Sequence, residues 1–212
     1  MTKKIALLVA AVILMGVSAT PSFAVLTNGG FETGDLTGWT TNGNAVVTSS
    51  YTGIVGSGSG TTYGPVSGNY FSVIGAGSEG VFYTLSQPFA MQQAESISGW
   101  AAFDYGDYHN FDDTAYVKIL DAAGAPVATP WSQHGLAVPD YYDGPWTQWS
   151  WQAPAAGTYT LQYGVDNEGD GSMPSYGLFD MGPANNAIPE PASMLLLGSG
   201  LLGLVGLRKK QS

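Results

Sequence analysis

The chain has 212 residues, enough for one domain of ordinary size with additions at its ends. Between residues 25 and 188, Lys118 is the single Lys or Arg against fifteen acids, a surface that repels nucleic-acid phosphates and offers carboxylates to divalent cations. Cysteine is absent, so disulfides are excluded and the fold rests on its core, or on its core plus metal ions.

Residues 1–24 open with Lys3 and Lys4, run apolar from Ile5 to Val17 and close on "SATPSFA". Small side chains at Ser22 and Ala24 complete a secretory signal peptide, cut after Ala24, which implies the Sec export machinery as a partner. An uncleaved anchor is the alternative, and it needs a longer apolar run. The rest of the chain holds all six Trp, all twelve Tyr and seven of the eight Phe. That is material for a folded domain rather than a disordered acidic tail.

From residue 44 onward, period-2 patterns recur and helical ones do not. "NAVVTSSY", "NYFSVI", "GVFYTLS", "SISGWAAFDY", "TAYVKIL", "WTQWSW", "GTYTLQYGVD" and "YGLFDM" read as strands. In the cleanest, Tyr159, Leu161, Tyr163 and Val165 share one face. The "GSGSG" at 56–60 reads as a flexible loop, without the Lys and helix of a phosphate-binding loop. Eight to ten strands and no long helix predict an all-β antiparallel sandwich or barrel.

Aromatic residues crowd "WSQHGLAVPDYYDGPWTQWSW" (131–151). Trp149 and Trp151 share a strand face and Trp146 has the opposite parity, so one face is core and at least one Trp faces outward. An outward ring can stack on a pyranose. The candidate ligand-binding residues are therefore Tyr141, Tyr142, Trp146 and Trp149; the alternative is that they fill the core.

Acids cluster in "DYGDYHNFDD" (104–113) and "DNEGDG" (166–171). The second begins like an EF-hand loop, but its twelfth position is Gly177 and no helices flank it. A looser calcium loop or a plain Asp/Gly turn remains. No acid pair stands out for glycoside hydrolysis, His109 and His134 lack zinc-site spacing, and no nucleophile elbow is present. A non-catalytic protein is expected.

The segment "VLTNGGFETGDLTGW" (25–39) resembles the first strand of galactose-binding-like jelly rolls, the fold of many carbohydrate-binding modules, through Asn28, Gly29, Phe31, Glu32, Gly34 and Trp39. The resemblance implies a jelly-roll β-sandwich over residues 25–181. Phe31 would plug its core, and Gly34 and Gly38 would turn the chain to bring Trp39 over a sheet edge. It also implies calcium held by Glu32 together with Asp180 of the last strand; the alternative is that Glu32 sits at a solvated strand end. Asp112, Asp113, Asp170 and Ser175 resemble positions in exported bacterial proteins with similar ends, which adds Asp112, Asp113 and Asp170 as metal candidates.

The C-terminus reads "AIPEPASMLLLGSGLLGLVGLRKKQS", after a polar linker at 182–188. Pro189, Glu190 and Pro191 keep the chain extended. Residues 192–207 carry no charge and span about 24 Å as a transmembrane helix, against a hydrocarbon core of about 30 Å. Arg208, Lys209 and Lys210 would hold its end on the cytoplasmic side. The whole resembles the PEP-CTERM sorting signal (189–212). It implies recognition by an exosortase, a membrane cysteine protease-transpeptidase, with transient residence in the inner membrane and cleavage near the motif; a permanent anchor is the alternative. The expectation is an exported, non-catalytic surface or matrix protein that binds extracellular polysaccharide. Its competitor is a structural biofilm protein without a specific sugar site.

Overall fold

The computed structural model describes residues 26–55, 58–169 and 172–182. Its strands are β1 (Thr40–Thr41), β2 (Ala45–Thr48), β3 (Tyr51–Val55), β4 (Gly58–Tyr63), β5 (Phe71–Gly75), β6 (Tyr83–Met91), β7 (Ser96–Asp104), β8 (Thr114–Leu120), β9 (Pro126–His134), β10 (Thr147–Gln152), β11 (Gly157–Val165) and β12 (Tyr176–Asp180). One antiparallel sheet has the order β1-β6-β11-β8-β9 and a second β10-β7-β12-β5-β2, while β3 and β4 form a separate hairpin. The expected all-β sandwich is the architecture observed. The proposed signal peptide (1–24, cut after Ala24), most of the linker and the C-terminal helix lie outside the described residues. Among those described, no helix is long and apolar enough to cross a membrane.

Alternation within strands builds two cores. Tyr159, Leu161, Tyr163 and Val165 of β11 point between the sheets, where Phe103, Ile74 and Phe179 of the second sheet meet them. Tyr163 stacks on Phe179 with ring centroids 4.3 Å apart. The other faces of the same second-sheet strands carry Phe71, Val73, Ala102 and Leu178, and these are buried too, with Tyr63 and half-buried Tyr51, Trp146 and Tyr176. A sheet buried on both faces needs a cover on its outer side, and the β3–β4 hairpin supplies it.

Residues 27–39 are not a first strand. They form successive turns, closed by Phe31 N–H to Asn28 O (3.0 Å), Gly34 N–H to Phe31 O (2.9 Å) and Trp39 N–H to Leu36 O (2.9 Å). Phe31 takes a positive φ of 60° and still plugs the core, fully buried, as Gly34 and Gly38 turn the chain at φ 77° and 88°. The Gln87 amide of β6 replaces a strand ladder: it accepts from Thr27 N–H and donates to Thr27 O and Gly38 O. Turns closed this way supply local partners for the backbone, so no ladder is required.

The glycine-rich stretch expected to be a loop enters β4 at Gly58. A Cβ on Gly60 would overlap the Gly53 carbonyl across the hairpin, so here glycine marks close strand approach rather than a linker. The edge strand β9 carried too little alternation to be read in advance.

Trp39 lies between Phe31 (5.2 Å) and Tyr163 (5.4 Å) and is 8 % exposed. Trp39→Ala is expected to cost about 3–5 kcal/mol of stability in urea unfolding, whereas Val127→Ala, at an exposed position on β9, should stay within about 0.5 kcal/mol.

Candidate functional site

The segment 51–70 has backbone amides to satisfy as it crosses the outer face of the second sheet, and acidic side chains receive several of them. Asp104, at the end of β7, accepts from Tyr51 Oη–H (2.5 Å) and Ile54 N–H (3.0 Å) through Oδ2. Asp143, in the loop before β10, accepts from Thr61 N–H through Oδ2. Asp180, at the end of β12, accepts from Val66 N–H (2.7 Å) and Ser67 N–H (3.1 Å). Glu32 accepts from Asn69 N–H (2.9 Å) and Tyr70 N–H (3.2 Å). Charge-assisted bonds to backbone N–H are among the stronger kinds, and there are four acids on one short segment.

This segment and the β9–β10 loop border an open cavity of about 430 Å³ lined by Thr61, Thr62, Tyr63, Asp143, Pro145 and Trp146, among others. Trp146 is half-buried, edge-on to Tyr63 (6.2 Å) and Phe71 (5.6 Å), and its Nε1–H donates to Gly64 O (3.1 Å). Tyr63 Oη–H donates to Gly144 O (2.9 Å) across the cavity floor. Apolar ring surface sits here beside threonine hydroxyls and a carboxylate.

The other aromatic candidates lie elsewhere. Trp149 is 2 % exposed within the main core, edge-on to Tyr163 at 6.4 Å, which corrects the expectation that it meets a ligand. Trp146 and Trp149 lie on opposite faces, as their parity predicts, and the face that Trp149 shares with Trp151 turns inward. Tyr142 packs against the main core. Tyr141, at φ 52°, lies beside Tyr108 at 6.3 Å. Neither lines the cavity.

The metal candidates fall into separate places. Glu32 and Asp180 both accept from backbone amides of residues 66–70. Asp180 Oδ1 is buried without a hydrogen-bond partner, and a Cβ on Gly68 would overlap the Glu32 carboxylate. An orphaned oxygen beside a second carboxylate fits a hard cation. Among the described residues no three acids, His or Cys group together, so backbone carbonyls and water would complete any shell. Asp113 is instead a buried strut: Oδ1 accepts from Glu168 N–H (2.8 Å) and Oδ2 from Ser175 Oγ–H (2.6 Å). Asp112 accepts from Leu136 N–H (3.1 Å) and lies 3.6 Å from His134 Nδ1. Asp170 lies outside the described residues.

Asp143 escaped the sequence reading altogether. In "YYDGP" it looks like a turn residue, and only the fold brings it against Asp104, 39 positions earlier.

Burial pushes Asp104, Asp113 and Asp180 up to about 6, against the pull of the donors they accept from; Asp143 adds to the rise at Asp104, Asp107 at Asp113 and Glu32 at Asp180. These groups bind protons more tightly folded than unfolded, so the stability they contribute is full below about pH 4 and is lost as pH rises through about 6.

Residues 187–210 match the PEP-CTERM protein-sorting motif. The chain ends in an exosortase sorting signal. That motif marks an exported, exosortase-processed protein. Among curated proteins no relative matches the chain. Among solved structures, TmCBM61 in complex with beta-1,4-galactotriose is 18 % identical, aligned over 76 % of this chain and 96 % of that one at TM-score 0.47. The K3 cleaved adhesin domain of Lys-gingipain from Porphyromonas gingivalis is 16 % identical over 74 % and 95 % at 0.45. The arabinose-bound α-L-arabinofuranosidase MgGH51 is 14 % identical over 77 % of this chain and 27 % of that one at 0.44. At such scores these likenesses say nothing about ligand or activity.

In chelator, thermal unfolding is expected to occur about 5 °C higher at pH 5 than at pH 7.5. Scanning calorimetry at the two pH values checks the sign.

Proposed function

We propose that this exported protein is a non-catalytic polysaccharide-binding module delivered by its sorting signal to the cell surface or extracellular matrix. The cavity beside Trp146 carries the reading. A sugar ring laid against the indole would bury its apolar face while Thr61, Thr62 and Asp143 meet its hydroxyls, the usual division of labour in a small-ligand site. The non-catalytic reading is supported by the lining of the cavity, in which Asp143 is the one acid, whereas hydrolysis of a glycosidic bond uses two carboxyls flanking it.

Calcium is the cofactor we assign to this module, held by Glu32 and Asp180. It would neutralise the orphaned Asp180 oxygen and tie the start of the domain to its last strand; it supplies no chemistry beyond that.

The burial of Trp149 and the packing of Tyr141 and Tyr142 favour the second reading, a structural matrix protein whose acidic surface is crosslinked by divalent ions. Affinity electrophoresis through exopolysaccharide from the organism that makes the protein separates the two. Trp146→Ala should lose at least tenfold in retardation and Tyr141→Ala less than twofold. Absence of retardation for the unaltered protein, with and without calcium, would leave the structural reading.

Millimolar calcium should raise the melting temperature at pH 7.5, about 2.7 kcal/mol of stabilisation accruing at a hundred times the dissociation constant. Asp180→Asn should abolish that rise. A melting temperature indifferent to calcium would contradict the assignment.

A further inference from the structure

The Asp104 and Asp143 side chains meet beneath the β3–β4 hairpin. Each commits Oδ2 to the hairpin, Asp104 to Tyr51 Oη–H and Ile54 N–H, Asp143 to Thr61 N–H. That leaves the two Oδ1 atoms, both buried. A Cβ on Gly53 would overlap Asp143 Oδ1 and stand 3.3 Å from Asp104 Cγ, so the hairpin backbone closes directly over the pair. As two carboxylates the Oδ1 atoms have no hydrogen-bond partner; the side chains bond to each other only if one carries a proton.

A metal ion is a poorer occupant. Two sealed oxygens offer a third or less of the six to eight that calcium takes, and water cannot supply the rest where neither atom is accessible. Nor, among the described residues, does a base serve the pair. The titratable groups facing it are Tyr51 from β3, Tyr63 from β4, Tyr176 from β12 and, towards Tyr63, Tyr142 from the loop. Lys118 sits over the Tyr116 ring on the other sheet.

We propose that Asp104 and Asp143 share one proton and form a pH-dependent latch, holding the hairpin, and with it the Thr61–Tyr63 wall of the cavity, onto the second sheet. With the proton in place, one carboxyl donates to the other and both Oδ2 atoms keep their amides. When it leaves, two touching anions repel under a backbone with no side chain to yield, and the hairpin lifts. The Asp104 value of about 6 places release between pH 5 and 8. The sign follows the linkage rule: a carboxyl that protonates more readily folded than unfolded favours the closed state at low pH and loses it as pH rises. The latch does not depend on the sugar reading.

Hydrogen exchange on the full chain tests it, with rates corrected for intrinsic chemistry. From pH 5 to pH 8 the Ile54 and Thr61 amides should lose at least tenfold in protection relative to those of β11. In Asp104→Asn, an amide donor replaces the shared proton and does not titrate, so the loss should vanish; Asp143→Asn should behave alike and serves if the first variant folds poorly. A flat profile in the unaltered chain overturns the proposal, as does a loss that persists in both variants, which would point to Asp180. Recovery of protection at pH 8 by millimolar calcium in a Glu32→Gln, Asp180→Asn background would also overturn it, because a cation and not a proton would then close the pair.

Discussion

Backbone amides of residues 51–70 bonded to acidic side chains of the sandwich are the contacts on which the outer face of this molecule depends. A hairpin of two short strands is marginal alone in water. Here Asp104, Asp143, Asp180 and Glu32 take its amides and those of the loop behind it. Tyr51, Tyr63 and Trp146 meanwhile bury apolar surface against Phe71, Val73 and Leu178. Without this cover, alternate residues of β5, β7 and β12 would place a second apolar face in water. With it, Phe71, Val73, Ala102 and Leu178 are buried on the outer side as well, and a cavity is left where the cover meets the β9–β10 loop.

Carboxylates are costly anchors when buried, since desolvation favours the neutral form. The protein has almost no bases with which to offset them, for Lys118 is the only Lys or Arg between residues 25 and 188. Its acids therefore rely on hydrogen-bond donors, on protons and, under the calcium assignment, on a cation. Each remedy leaves its own dependence on the surroundings. An exported domain without disulfides would then take part of its rigidity from the medium it enters.

How much was legible beforehand follows from the range of the interactions involved. The period-2 face of β11 was readable because alternation is local and Tyr159 to Val165 contains little else. Phe31 was recognisable as a plug and Gly34 and Gly38 as turn positions, yet the lack of a strand here was not: the segment is tied down by the side chain of Gln87, 49 residues beyond Gly38. Glycines misled in β4, where they permit close strand approach rather than flexibility. At the site, Trp146 and Trp149 were separable by parity, but which face was open depends on a hairpin nearly ninety residues earlier. Asp143 left no signal at all, because its role exists only against Asp104 and Thr61. The sorting tail was the most readable element, since an address is recognised as linear sequence.

The central claim, that residues 51–70 pinned by carboxylates build the binding face, is tested most directly by a crystal structure of the protein grown with calcium and oligosaccharides cut from the host exopolysaccharide. A sugar ring is expected against Trp146, beside the bonded pair Thr61 and Asp143, with a cation joining Glu32 and Asp180. A sugar seated on another face, or a hairpin detached from Asp104 and Asp143 in a crystal grown near pH 5, would contradict it.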